Sequence, residues 1–357
     1  MGAYFYRQDY LFKTTPHKNK LVNSIAKTIE PLMAENCSVR RTVNLIGDGW
    51  SFMILRECYF GVRRFQDFQE ILSIPRGTLT ARLNALVAEN ILKRELSDPT
   101  KKRLEYKLTK QGIDLYKVMI ALMSYGDKWI EASPKQPLKL LHKTCNHESH
   151  PFVGCPHCRQ EIDVSDVAHR HGPGFGCEPA YPGPKLRKSA DPLLIEKRRP
   201  SSVARALRSI GDQWGFMVLR EAFFKVRRFD QIQTKLGIAP NTLANRLNHF
   251  LNEGIFQKVP YQTNPDRFEY RLTEKGRAIF SSFMAMLAWG DKWLTRNGPP
   301  IILTHNKCGH DFTPLVMCDF CKNEIHAKDM GYNTTYIDPR TSSKETRPSK
   351  QHTESHM

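Results

Sequence analysis

Six of the nine cysteines fall into two clusters of one form. His142, Cys145, His147, Cys155 and Cys158 read H-x2-C-x-H-x7-C-x2-C, and His305, Cys308, His310, Cys318 and Cys321 repeat it. Two ligand pairs on separate turns, the second a C-x2-C knuckle, suit a tetrahedral zinc held by thiolate and imidazole. Without a secretory signal, such pairs argue for metal or redox chemistry over structural disulfides. Five candidates per cluster exceed four ligands. The sets favoured are Cys145, His147, Cys155 and Cys158 in one module and Cys308, His310, Cys318 and Cys321 in the other. The H-x2-C spacing keeps His142 and His305 open as the fourth ligand. A structural zinc competes here with a metal-free folded tail and with a redox pair. No nearby carboxylate is placed as a general base, which argues against a catalytic metal.

Cys37 stands ahead of the first helix with Arg40 and Arg41 close behind. Redox sensing needs an exposed thiol of lowered pKa, which those cations favour. The matching position in the second half is Ser201, so such sensing would be one-sided, and an ordinary thiol is the plainer reading. Cys58, inside an apolar stretch, is packing.

The formal charge of +18 points to an anionic partner, provided the cations gather on an element that can reach it. Apolar residues at 40% and charged residues at 25% give a globular balance. No Gly-rich phosphate loop, G-x-S-x-G, H-E-x-x-H or dinucleotide fingerprint occurs, so an enzyme is not expected. No apolar run is long enough for a bilayer and no signal peptide opens the chain, so a cytoplasmic protein is expected.

The elements that carry these residues occur twice. At an offset of 164, Trp50 falls on Trp214, Leu55-Arg56-Glu57 on Leu219-Arg220-Glu221, and Val62-Arg63-Arg64-Phe65 on Val226-Arg227-Arg228-Phe229. Arg82-Leu83-Asn84 matches Arg246-Leu247-Asn248, and Trp129 matches Trp293. A slip to 163 aligns the cysteine clusters. The unit is a domain plus a cysteine-rich appendix, duplicated in tandem. The expected boundaries are an N-terminal extension at 1–36, a first domain at 37–133 and a first Cys/His module at 138–168. A Gly/Pro-rich, then basic, linker follows at 169–200, then a second domain at 201–297, a second module at 301–331 and a disordered tail at 337–357.

Within one repeat, short helices lead to a stripe of Leu79, Leu83 and Leu86 at helical spacing, then two strands, then a long helix capped by Thr109 and ending near Ile130. The order predicts a mainly α fold with small β-hairpins: tandem winged helix-turn-helix domains. If the leucines point inward, Arg76, Thr78, Thr80, Arg82 and Asn84 are left to meet base edges and phosphates. Lys101, Lys102 and Arg103 crowd the wing, and Arg63 and Arg64 precede the third helix. The second copy offers Arg227, Arg228, Asn241, Thr242, Asn245, Arg246 and Arg267.

The run Ile46-Gly47-Asp48-Gly49-Trp50, Leu55-Arg56-Glu57, Arg64-Phe65, Thr78-Leu79-x-x-Arg82-Leu83 and Glu105-Tyr106-x-Leu108-Thr109-x-x-Gly112 resemble the HxlR-type winged-helix regulators. The likeness covers roughly 37–133 and 201–297. It implies bacterial-type transcription control, a dimeric DNA-binding unit, and recognition helices at 76–89 and 240–253. In some such regulators a cysteine near the position of Cys37 senses oxidants or electrophiles. The family's usual chain holds one domain, so the duplication is a departure.

On the last helix of each repeat one apolar stripe serves the core and a second wants a partner: Tyr116, Ile120, Met123 and Ile130, then Phe280, Met284 and Leu287. This predicts that the two domains pair inside one chain as a pseudo-dimer, at an effective concentration on the order of millimolar, with a homodimer of chains as the alternative. The expected function is sequence-specific binding of double-stranded DNA. The rival readings are a redox- or metal-responsive regulator using Cys37 or the modules, and an RNA-binding or scaffold protein. Arg76-Gly77 against Pro240-Asn241, and Lys101-Lys102-Arg103 against Asp266-Arg267, predict unequal halves. The same reading predicts that Arg82→Ala weakens DNA binding more than Arg246→Ala.

Overall fold

Both halves of the chain run through one order of elements in the computed structural model, which describes residues 33–98, 103–132, 136–179, 200–295 and 297–334. The first half has α1 (Ser38–Ile46), α2 (Gly49–Tyr59), α3 (Phe65–Leu72), α4 (Arg76–Ala88), a hairpin of β2 (Leu92–Asp98) and β3 (Arg103–Leu108), then α5 (Lys110–Asp114) and α6 (Tyr116–Trp129), with β1 (Met33–Glu35) ahead of them. The second has α7 (Ser202–Ile210), α8 (Gln213–Phe223), α9 (Phe229–Leu236), α10 (Pro240–Asn252), a hairpin of β9 (Phe256–Thr263) and β10 (Asp266–Leu272), then α11 (Glu274–Ala278) and α12 (Phe280–Trp293). Each is a helix-turn-helix followed by a two-stranded wing. Leu79, Leu83 and Leu86 are buried as their spacing requires, and Leu243, Leu247 and Phe250 repeat the stripe. Thr109 caps α5 by accepting from the Gly112 amide at 3.1 Å. The long last helix is divided: Leu115 separates α5 from α6.

The repeats pack on each other through their first and last helices, α1 on α12, α7 on α6, and α6 on α12. The second apolar stripe lies in this seam, where Ile120, Met123, Met284 and Leu287 are buried. Two glycines let the helices meet. A Cβ on Gly126 would stand 2.2 Å from the Ser202 carbonyl oxygen, and one on Gly290 would stand 2.6 Å from that of Ser38, so no side chain fits at either place. Beside each glycine a hydroxyl meets a carboxyl: Ser38 donates to Asp291 at 2.5 Å, and Ser202 donates to Asp127. Burial lifts both carboxyls to about 6.

The appendices carry β4 (Leu138–His142), β5 (His147–Ser149), β6 (Phe152–Gly154), β7 (Val167–His171) and β8 (Cys177–Pro179), then β11 (Ile301–His305), β12 (His310–Phe312), β13 (Leu315–Met317) and β14 (Met330–Thr334). They do not form two separate modules. Strand β14 joins β4 and β5, and β7 joins β11 and β12, so each three-stranded sheet takes one strand from the other appendix. Strands β6 and β13 pair antiparallel with Val153 opposite Val316, residues 163 apart that match in the repeat, so a local two-fold passes there. Strands β7 and β8 occupy part of the span read from sequence as linker, and β8 pairs with β1, inside the span read as an N-terminal extension. The basic stretch 185–199 and the tail 337–357 lie outside the described residues.

Candidate functional site

In each repeat the helix after the turn presents a polar face that its leucines define. Arg76, Thr80 and Asn84 on α4 are exposed, Thr78 is half-buried, and Arg63 and Arg64 are exposed at the start of α3. Not all of their polar groups are free. The Thr80 hydroxyl donates to the Arg76 carbonyl at 2.9 Å, the Arg94 guanidinium of β2 donates to the Asn84 amide oxygen, and Arg76 lies over the Phe65 ring at 5.7 Å. Arg103 is exposed on the wing, while Lys101 and Lys102 lie outside the described residues. In the second repeat Asn241, Asn245, Arg228 and Arg267 are exposed and Thr242, Arg246 and Arg227 half-buried. Arg228 stacks on Tyr261 of its own wing at 4.2 Å. The wings are tied to the helices by backbone: the Tyr106 amide donates to the Arg63 carbonyl and the Tyr270 amide to that of Arg227, each at 2.8 Å.

Arg82 departs from its expected role. Its side chain is 6% exposed, with Nε donating to Asp48 Oδ1 at 2.8 Å. Asp48 is the N-cap of α2 and accepts from the Trp50 and Ser51 amides as well. The pair therefore pins α4 to the start of α2, and the Arg82 guanidinium is held inward on Asp48. Arg246 makes the matching contact with Asp212, the N-cap of α8, through Nε at 2.7 Å, but at 29% exposure. Its second nitrogen binds the same carboxylate.

The Cys/His residues assemble across the repeats. Two groups form: His142 and Cys145 with Cys318 and Cys321, and Cys155 and Cys158 with His305 and Cys308. Each has three sulfurs and one imidazole. His147 and His310, favoured from the spacing, are exposed and belong to neither group; His142 and His305 take the place, fully buried. The sets drawn within one module are likewise corrected, since the pairing of β6 with β13 carries the C-x2-C knuckle of each appendix across to the other. Around a tetrahedral zinc, with Zn–S near 2.3 Å and Zn–N near 2.05 Å, sulfur pairs lie about 3.8 Å apart and sulfur–nitrogen pairs about 3.5 Å. Here Cys145 and Cys318 are 3.8 Å apart and Cys155 and Cys308 are 3.7 Å apart. The Nδ1 atom of His142 stands 3.3 Å from the Cys145 sulfur and 3.4 Å from that of Cys321. Nδ1 of His305 stands 3.3 Å from Cys158 and 3.4 Å from Cys308. These sulfur pairs are far beyond the ~2.05 Å of a disulfide.

Cys37 is buried and serves as the N-cap of α1, its sulfur accepting from the Arg40 amide at 3.4 Å. Cys58 packs against the core, and burial pushes its thiol far above the ordinary value.

The two domains are winged helix-turn-helix units of the transcription-regulator class. The family model for the HxlR-like helix-turn-helix matches residues 45–134 and 209–298, and the chain belongs to that family, with two copies of its domain. An uncharacterized HTH-type transcriptional regulator of Mycobacterium tuberculosis is 46% identical over 138 residues, 38% of this chain and 87% of its own length. One of Synechocystis is 33% identical over 96 residues, 27% of this chain and 71% of its own. A solved structure from Pseudomonas aeruginosa, described as a candidate transcription factor, is 34% identical and covers 30% of this chain and 73% of that chain, at a TM-score of 0.24. Among the described residues no helix is long and apolar enough to cross a membrane.

Proposed function

We propose that this transcriptional regulator binds double-stranded DNA in a sequence-specific manner, with its two domains acting as the halves of a dimer inside one chain. The observation that carries this reading is the outward face of α4, with Arg76, Thr80 and Asn84 exposed over buried leucines and Arg63, Arg64 and Arg103 beside it, repeated more weakly on α10. A helix with such a face enters the major groove while cations beside it meet phosphates. One recognition helix covers few base pairs, so two are needed, and the seam of α1, α6, α7 and α12 joins them without a second chain.

Gel shifts of the full chain with duplex DNA from its own promoter region, against RNA of the same sequence, test the reading. Tight, salt-sensitive binding to duplex alone is expected; equal binding to RNA overturns it. Light scattering tests the intrachain pairing. A species of one chain mass, 41.2 kDa, is expected at micromolar concentration, and a stable species of twice that mass overturns it.

Structural zinc completes the proposal, one ion in each Cys/His group. The soft three-sulfur, one-imidazole donor set and its edge lengths support it. The ions would supply no chemistry. Each would join an H-x2-C turn of one appendix to the C-x2-C knuckle of the other, holding the two halves in one arrangement.

A further inference from the structure

The seam between the repeats ends differently at its two sides. On one side Asp114, the last residue of α5, is held by three donors drawn from both repeats. Trp293 Nε1 and Lys292 Nζ, at the end of α12, meet its Oδ2 at 2.8 and 2.9 Å, and Lys117 Nζ of α6 meets its Oδ1 at 3.1 Å. Lys117 also reaches Glu324 of the second appendix at 2.5 Å. One carboxylate and one ammonium in contact thus lie between an indole–lysine pair and a glutamate.

The repeat carries each of these positions to the other side. Trp293, Lys292 and Glu324 have Trp129, Lys128 and Glu161 as counterparts, but Asp114 becomes Ala278 and Lys117 becomes Ser281. The holding groups are kept and the held pair is gone. All five residues line one cleft of about 860 Å³ between the end of α6, the corner of α11 and α12, and the first appendix. The holding groups are set alike on both sides. Lys128 Nζ lies 5.5 Å from the Trp129 ring as Lys292 Nζ lies 5.1 Å from that of Trp293, and Glu161 bridges Gly154 through backbone as Glu324 bridges Met317. Lys128 and Glu161 are exposed and Trp129 is half-buried, so a ligand can meet all three. Among the described residues neither Trp129 Nε1 nor Lys128 Nζ has an acceptor, and the Glu161 carboxylate has no cation. The other charges of the cleft are taken up. Glu148 pairs with Lys139 and Asp166 with Lys307, Asp163 and Asp127 accept from the Ser165 and Ser202 hydroxyls, and Glu274 and Arg277 offset each other one turn apart on α11. One cation and one anion are left over, which suits a zwitterion better than an acid or an amine alone.

We propose that this cleft binds one free α-amino acid per chain, its carboxylate on Trp129 Nε1 and Lys128 Nζ and its ammonium on Glu161. An α-amino acid carries its two charges on one carbon, as close as the Asp114 and Lys117 side chains stand on the far side. Hydrogen bonds to such charged groups are the stronger class. Ala278 and Ser281 leave the room that aspartate and lysine fill opposite, and Met123, Leu138 and Phe152 offer apolar contact to the ligand's own side chain. Lys128, Trp129 and Glu161 belong to the first repeat, Ala278 and Ser281 to the second. The ligand therefore joins the repeats where the protein's own ion pair joins them on the other side.

The test uses the full chain without DNA, so that its outcome is independent of the DNA-binding reading. Thermal unfolding is followed with each of the twenty common L-amino acids at about 10 mM, and at least one should raise the midpoint by several degrees. Calorimetry with that amino acid should find one site per chain, with a dissociation constant on the order of 100 μM for a ligand of this size. Its decarboxylated amine and its deaminated acid, each lacking one of the two charges, should bind about ten-fold more weakly or worse. Ala278→Asp with Ser281→Lys gives the cleft the pair found opposite and should abolish binding. Glu161→Gln, a change at an exposed position, should weaken binding by about ten-fold or more. Stabilisation by none of the twenty, equal binding of the amine or the acid, or undiminished binding by either variant that still unfolds cooperatively would each overturn the assignment.

Discussion

Repeat one and repeat two hold an aspartate and an arginine 34 residues apart in the same contact, Asp48 with Arg82 and Asp212 with Arg246, and they cross Ser38 to Asp291 and Ser202 to Asp127 in the same way. Facing outward they diverge. Arg76-Gly77 becomes Pro240-Asn241, and Lys101-Lys102-Arg103 becomes Asp266-Arg267. The shared pairs are those that cap a helix or stand beside a close helix crossing, where only a carboxylate with a matching donor fits. Within this one chain those pairs remain alike, while groups turned to solvent differ.

The sharpest way to break that comparison is at the metal clusters, where the largest effect is expected. If ligands are exchanged, Cys145→Ser and Cys321→Ser should each remove the same one of two zinc equivalents, and the double variant should still retain the other. Cys155→Ser and Cys308→Ser should behave likewise for the second ion. Metal analysis beside native mass spectrometry reads this directly. If Cys145→Ser and Cys158→Ser prove to share an ion instead, the clusters form within each appendix and the exchanged arrangement is wrong. Removing both ions with a strong chelator should lower the thermal midpoint by on the order of 10 °C, since the binding energy of a structural zinc is folding energy.

The next effect concerns Arg82. Taking one partner from a buried, hydrogen-bonded ion pair costs about 3 kcal/mol or more, because the other charge is left without its counterpart. Arg82 is 6% exposed and Arg246 29%. Urea unfolding should therefore find Arg82→Ala less stable by about 3 kcal/mol and Arg246→Ala by about 1 kcal/mol. Equal losses would mean the two caps are energetically alike. A folded Arg82→Ala chain with intact stability and lost DNA affinity would return the residue to the groove.

These two results also mark what could be read from sequence. Leucine spacing and the cap at Thr109 are local, and a periodicity of about 3.6 residues is enough to place them. The pairing of Arg82 with Asp48 is not local: a helical wheel gives the direction of a side chain at Cβ, not where a long flexible stem ends. The sign was present all the same, because an arginine follows the helix-capping aspartate by 34 residues in both repeats. The metal sets were harder. A duplicated motif looks the same whether its halves close on themselves or on each other. Only the strand partner of β6, a segment of three residues, decides it. His142 could have been preferred to His147 from the turn alone, since H-x2-C is a knuckle like C-x2-C and C-x-H is not.

A smaller effect separates the seam from the rest of the fold by pH. Asp127 and Asp291 are raised from 3.8 to about 6 by burial, each opposed in part by a serine hydroxyl. A carboxyl whose folded pKa is raised stabilises the fold when protonated, and that contribution fades as pH rises through 6. Between pH 7 and pH 5 each should add about 1 kcal/mol of stability. Asp127→Asn and Asp291→Asn should each flatten the stability profile over that range by about this amount, in equal measure. An unchanged slope in either variant would show that its carboxyl is solvated and the seam open there.

The smallest effect tests whether the outer faces differ in use as they do in residues. Arg76 is exposed at the first turn of α4, and its counterpart is Pro240, so only the first repeat has a cation there. Arg76→Ala should weaken duplex binding by about 1 kcal/mol, with the salt slope falling by about one if the guanidinium meets a phosphate and unchanged if it reads a base edge. Asn241→Ala beside Pro240 has no charge to lose and should leave the salt slope where it was. The two variants measured at three salt concentrations thus distinguish positioning from reading. Equal slopes and equal losses in both would show that the repeats grip DNA alike despite their different side chains.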